Sequence, residues 1–324
     1  MFLSIIPLVR FPFYKFTKHR EHMPCAHTQT FTRGVVSASI AAALALLLGA
    51  CASMTRPANP GLPRADEQPH FAVLTASDER RTAALANWQT LAGEQAAAAA
   101  PAPTPELQPV TATLKSLPAS LKDYPRLPSV VVKDEKTQTE EETRESLRRF
   151  LSTAAPLLGV DLRQLSLVGV TDAPAAAGGA RRALYQQNPF PYPLRNGYGV
   201  VEVTFTPDLR VTELSSTAVP DAERLGRALV AVPKTLTAEQ AVAALSNRAV
   251  TYNGGDGAQQ THTVTPADTP AARQLVVFPI RRDADPATLE LHVAWEVSVG
   301  GPASPLLVYV DAATGDLLGA SRDG

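Results

Sequence analysis

The chain has 324 residues, 45% hydrophobic and 19% charged, with 30 Lys+Arg against 31 Asp+Glu and a formal net charge of −1. That profile excludes a disordered or fibrous chain and fits a globular one of about two domains. Without a basic excess to neutralise phosphates, and with only 6% aromatic residues for stacking, no nucleic-acid partner is expected. The two cysteines, Cys25 and Cys51, both lie near the start, which excludes a disulfide framework or cysteine metal site further along.

Residues 34–50 form a charge-free apolar run behind Arg33 that ends in small residues, the layout of a secretory signal. The run is short for a membrane span, which needs about 20 apolar residues. Leu48-Gly49-Ala50-Cys51 resembles the lipobox of bacterial lipoproteins. The resemblance implies cleavage before Cys51 and acyl chains on its thiol, and each methylene buried in a bilayer adds about 0.8 kcal/mol of attachment. Residues 1–50 are thus expected to be a signal peptide. Met23 is the expected true start, because residues 1–22 fit no signal layout. Ala52, where an inner-membrane retention signal would carry Asp, points to an outer-membrane lipoprotein facing the periplasm or surface. Removal of 1–50 leaves 25 basic against 30 acidic groups, a net charge of −5, suited to a solvated envelope domain.

Residues 51–106 are predicted to be a lipidated tether. It is Pro-rich over 52–76, then carries a short helix from Ser77 to Gln95, for which docking through Trp88 and loose packing are equal alternatives, then an Ala/Pro linker. Two α+β modules are expected next, 107–220 and 221–324, each a helix packed on an antiparallel sheet. In the first, Thr139-Glu140-Glu141-Glu142 is a capping box. Leu147, Phe150, Leu151, Ala154 and Leu158 recur at helical spacing until Gly159 stops the helix. Strands are predicted over 164–171, 181–187, 199–206 and 210–216. In the second, Pro220 to Pro233 is a bridge and Thr237-Ala238-Glu239-Gln240 a second capping box. Strands are predicted over 274–280, 290–299, 306–311 and 317–320. On the 290–299 strand, Leu291, Val293, Trp295, Val297 and Val299 face inward, while Glu290, His292, Glu296 and Ser298 face solvent.

Leu291-His292-Val293-Ala294-Trp295-Glu296-Val297 and Val308-Tyr309-Val310-Asp311-Ala312-Ala313-Thr314-Gly315 resemble the end of a PepSY domain and of thermolysin-type metallopeptidase propeptides. Phe150-Leu151, Tyr185-Gln186-Gln187 and Asn196-Gly197-Tyr198-Gly199 are similar to the fungalysin/thermolysin propeptide module. Together the resemblance covers about 130–320. In those families the region helps fold the adjoining protease and occupies its cleft. The residues themselves read more simply: Asp311 to Gly315 is a hairpin turn in which Asp accepts backbone donors and Gly takes positive φ, and Trp295 is core.

No catalytic, cofactor or metal site is expected. H-E-x-x-H, G-x-S-x-G, a P-loop and G-x-G-x-x-G are all missing. Past Cys51 the only histidines are His70, His262 and His292, too few and too scattered for zinc. The expected function is that of a non-catalytic binding protein, attached to the membrane through Cys51, that modulates an exported protease or other envelope protein in trans. Phe190, Tyr192 and Tyr198 in the Pro-rich loop are the expected partner contacts. A structural envelope lipoprotein is the alternative, and a truncated metallopeptidase precursor, suggested by the stop at Gly324 without a peptidase, is the third reading.

Overall fold

The computed structural model describes residues 69–93, 102–130, 139–173, 179–188, 190–255, 257–301 and 305–322. Cys51, the signal, residues 52–68 of the expected tether and residues 94–101 around the Ala/Pro linker lie outside the described residues. In chain order the elements are β1 (Phe71–Thr75), α1 (Asp78–Gly93), β2 (Glu106–Leu107), β3 (Leu114–Ser116), α2 (Glu140–Leu158), β4 (Leu165–Asp172), β5 (Arg181–Gln187), β6 (Val200–Phe205) and β7 (Val211–Ser216). There follow α3 (Ala222–Ala231), α4 (Ala238–Ala243), β8 (Ala249–Asn253), β9 (Gln259–Thr263), β10 (Ala271–Arg282), β11 (Asp285–Val299), β12 (Leu306–Asp311) and β13 (Leu317–Arg322). The architecture is α+β, helices packed on antiparallel sheets.

The first sheet is an antiparallel meander, β4-β5-β6-β7. Its helix α2 begins where the capping box predicts: Thr139 Oγ1 accepts from Glu142 N, and Glu142 returns a carboxylate to Thr139 N. It ends at Gly159, held at φ 68°, where a side chain would also strike Thr113. The buried face of α2 carries Leu147, Phe150, Leu151, Ala154, Leu157 and Leu158, which share one core with Tyr185, Val201, Val203, Phe205 and Leu214 of the sheet. Helix α1 joins this core. Trp88 is completely buried and donates its Nε1–H to Pro103 O at 2.9 Å, and Asn87 donates to Thr153 O on α2 at 3.1 Å.

The second sheet is organised by β11, the longest strand. β10 lies along the whole of one edge. On the other edge two strands follow end to end: β1 pairs Thr288 to His292, and β12 pairs Ala294 to Val299. β13 closes beyond β12. Phe71–Thr75, inside the stretch expected to be tether, is therefore a sheet strand. Its alternating Ala72 and Leu74 are buried, and five residues were too few to signal a strand. The expected bridge 220–233 likewise contains α3. Leu225 and Leu229 of that helix pack on Leu289, Leu291 and Val293, while Ala241 of α4 and Leu245 just past it cover Val297 and Val299. The hairpin β8–β9 was hidden in a polar, Thr-rich run.

The opposite face of this sheet closes on itself. A Cβ placed at Gly319 of β13 would lie 2.9 Å from Phe278 of β10, although β11 and β12 stand between those strands. Only a strongly curled sheet brings them together. Val276, Phe278, Ala294, Leu307 and Tyr309 fill the concave side, with the Phe278 and Tyr309 rings 4.4 Å apart. Replacing Trp88 by Ala is expected to lower unfolding free energy by about 3–5 kcal/mol, measured by chemical denaturation. A change near zero would mean α1 is not part of the folded unit.

Candidate functional site

Period-two alternation on β11 puts Glu290, His292 and Glu296 on the concave face. They were expected to be solvated, but the curl buries them: His292 is 4% exposed and Glu296 0%. A charged group taken out of water needs a partner, and each has one. His292 Nδ1 lies 2.7 Å from Asp311 Oδ2, and its Nε2 lies 3.1 Å from Glu290 Oε2. Arg282 Nε donates to the same Glu290 oxygen at 2.7 Å. Both ring nitrogens thus lie within hydrogen-bond distance of carboxylate oxygens of the protein itself.

Asp311 sits where β12 turns toward β13. As expected, its Oδ1 accepts from Ala313 N at 2.7 Å and Thr314 N at 3.1 Å, with Gly315 at φ 78°. Burial pushes the Asp311 carboxyl up, but the His292 and backbone hydrogen bonds outweigh it and hold it below its ordinary value. The Phe71 ring of β1 lies 4.6 Å from the His292 ring. A cavity of about 660 Å³, walled by His70, Phe71, Arg282 and Asp316, opens over the pair.

Glu296 is held by the other module. The segment between β5 and β6 crosses to β10: Val277 N donates to Pro193 O at 2.9 Å and Arg195 N to Val277 O at 3.0 Å. Asn196 Nδ2 donates to Pro279 O at 2.8 Å. This places Arg195 Nε 2.6 Å from Glu296 Oε2, while Gln274 Nε2 donates to Oε1 at 3.1 Å. Phe190, Tyr192 and Tyr198, the expected partner contacts, lie on this same segment. All three are half-buried against the core of α3, β1 and β11. Lys234 Nζ stands 5.8 Å from the Tyr192 ring centroid, and burial raises the Tyr198 phenol. Their buried faces are occupied in joining the two modules.

Of the remaining histidines, His262 on β9 meets Asp268 at 3.2 Å. Trp295, expected as core, is half-buried and donates its indole N–H to Leu236 O at 3.0 Å. Among the described residues no three His, Cys, Asp or Glu are grouped to hold a metal ion, and no helix is long and apolar enough to cross a membrane. Neither Arg195 nor Asp311 stood out in the sequence as a charge partner. The one signal was a pattern: Glu290, His292 and Glu296 on alternate positions of an otherwise apolar strand call for counter-charges if that face is buried.

Among solved structures, the Bacillus megaterium YpeB C-terminal domain is similar over 63% of this chain and 74% of its own length, at 12% identity and a TM-score of 0.29. No family model matches the chain, and no curated protein matches it.

Two outcomes are expected. Arg195→Ala, which leaves Glu296 buried with weaker compensation, costs about 3–5 kcal/mol, whereas Arg195→Met with Glu296→Leu recovers most of it; denaturant midpoints of the three proteins decide. Because the folded Asp311 value is depressed, its stabilisation is complete above the unfolded value of about 3.9 and is lost as pH falls through the lower folded one. The wild-type loss of stability below about pH 4 is therefore steeper than that of Asp311→Asn, read from urea midpoints across that window.

Proposed function

We propose that this protein is an exported, lipid-anchored, non-catalytic binding protein of PepSY and propeptide-like type, which holds a two-module body at the cell envelope to engage an exported protease or another exported polypeptide. The observation that carries this reading is the joint between tether and body. Downstream of the predicted acyl site, Cys51, Phe71 enters the second sheet directly as β1. An anchor so placed presents the curled sheet and its partner module as a unit, since Arg195, Pro193 and Asn196 fasten one to the other. The buried ionisable groups support a binding role over a chemical one, because His292, Asp311, Glu290 and Glu296 have one another, Arg282, Arg195 and Gln274 as partners.

Two measurements test the proposal. Intact mass of the mature protein is expected to show acyl chains on Cys51, and Cys51→Ser to move the protein from the membrane to the soluble envelope fraction. Cross-linking in intact cells is expected to trap an exported polypeptide with the wild type. An unmodified Cys51 removes the anchor, and cross-linking that yields no exported polypeptide removes the binding function.

A further inference from the structure

The chain covers two of its sheet edges with its own backbone. Along β7, Val211 N donates to Pro125 O and Leu127 N to Leu209 O, with a bridge from Arg126 to Arg210. Along β10, the Pro193–Arg195 segment does the same at Val277. The outer edge of β4 has no such cover: among the described residues β4 pairs with β5 and with no other strand. An uncovered edge presents a row of backbone donors and acceptors to whatever strand approaches.

Beside that edge runs a groove. Two adjoining hollows of about 460 Å³ each lie between α2 and β4 and share Arg144 and Leu167. Their floor is apolar. Leu151 is buried, Leu165 and Leu167 are half-buried, and beneath them lies Tyr185. The rim is basic: Arg144, Arg148 and Arg163 line it against the single carboxylate of Glu140. Arg144 and Arg148 are held at 2.6 Å by Glu140 and Glu145 on their own helix. Arg163, its side chain 93% exposed, reaches Asp161 only at 4.0 Å. At the middle of the edge a bulge between Leu167 and Gly169 turns Val168 outward, 63% exposed.

We infer that this edge and groove form the site where the partner docks, and that the occupant is an extended segment of another exported polypeptide, apolar at alternate positions and carrying carboxylates between them. The segment adds a fifth strand beside β4. Its main chain bonds the open edge, its alternate apolar side chains enter the groove over Leu165 and Leu167, and its carboxylates meet the arginine rim. The bulge speaks against a second copy as occupant, because it twists the edge away from pairing with another whole sheet, while a short segment follows the bend. This inference rests on the binding function proposed above and assigns it a place.

The test uses the purified protein and a fluorescent peptide with Val at alternate positions and Asp between, read by anisotropy. Binding is expected, weaker by about tenfold or more for the peptide with Lys in place of Asp and for Arg144→Ala with Arg163→Ala. It is lost for a peptide N-methylated along its bonding edge. Val168→Asp, at an exposed position, is expected to weaken binding without lowering the denaturation midpoint. A wild type that ignores the acidic peptide, or binds the methylated and Lys peptides equally, overturns the site, as does self-association that Val168→Asp abolishes. If in-cell cross-links to an exported polypeptide survive Val168→Asp and the double Arg variant, the site is wrong and the binding function stands. If wild type forms none, the function itself fails.

Discussion

The carboxylate of Glu296 sets the terms for the rest of the molecule. It stands on the longest strand, fully buried inside a sheet that curls until Phe278 on one edge meets Gly319 on the other. A carboxylate there is costly unless a cation and further donors complete its shell. The nearer cation comes from the other module, Arg195 at 2.6 Å, with Arg273 of β10 at 3.8 Å, and Pro193 and Asn196 hold the Arg195 segment to β10. Curl, buried charge and inter-module joint are thus one constraint. Flattening the sheet would rehydrate Glu296 and release Arg195 together.

The same curl shapes the second polar group. His292 lies two pleats from Ala294, whose neighbour across the ladder is Asp311, and the concavity brings the imidazole against both Asp311 and Glu290. β1 then places Phe71 on the ring. The first strand after the predicted tether therefore seals a polar cluster built from the last third of the chain, so that the two ends of the folded body stabilise each other. Loop closure over so long a separation is entropically unfavourable, and contacts of this kind form late in folding as a rule.

Much of this was legible in the residues. Both capping boxes begin helices where predicted, Gly159 ends one, and the strands 181–187 and 306–311 match residue for residue, because caps and period-two patterns are local signals. What escaped was of three kinds. β1 is too short and α3 too close to Pro220 and Pro233 to stand out locally. In the hairpin β8–β9, Val250 and Tyr252 alternate with exposed residues on β8, but β9 has no apolar residue and only His262 is not exposed. Most telling is the polar face of β11: alternation says which residues share a face and is silent on whether that face meets water. Burial of Glu296 and His292 follows from sheet curvature, a property of four strands together that no one segment encodes.

Curvature also bears on where a partner can bind. The concave face of the second sheet is filled by Phe278, Leu307 and Tyr309, its convex face lies under α3 and α4, and its β10 edge is partly strapped. The aromatic residues of the Pro-rich segment, attractive as anchors in the sequence, are half consumed by the joint. The first sheet is the open one. Its helix α2 packs on the sheet with Leu165, Leu167 and Val170 of β4 at the margin of the shared core, so that an apolar floor lies beside an edge that pairs with no strand among the described residues, under a row of arginines. The fold uses its own chain to cover β7 and β10, whereas among the described residues β4 pairs on one side only, beside a groove rimmed by arginines.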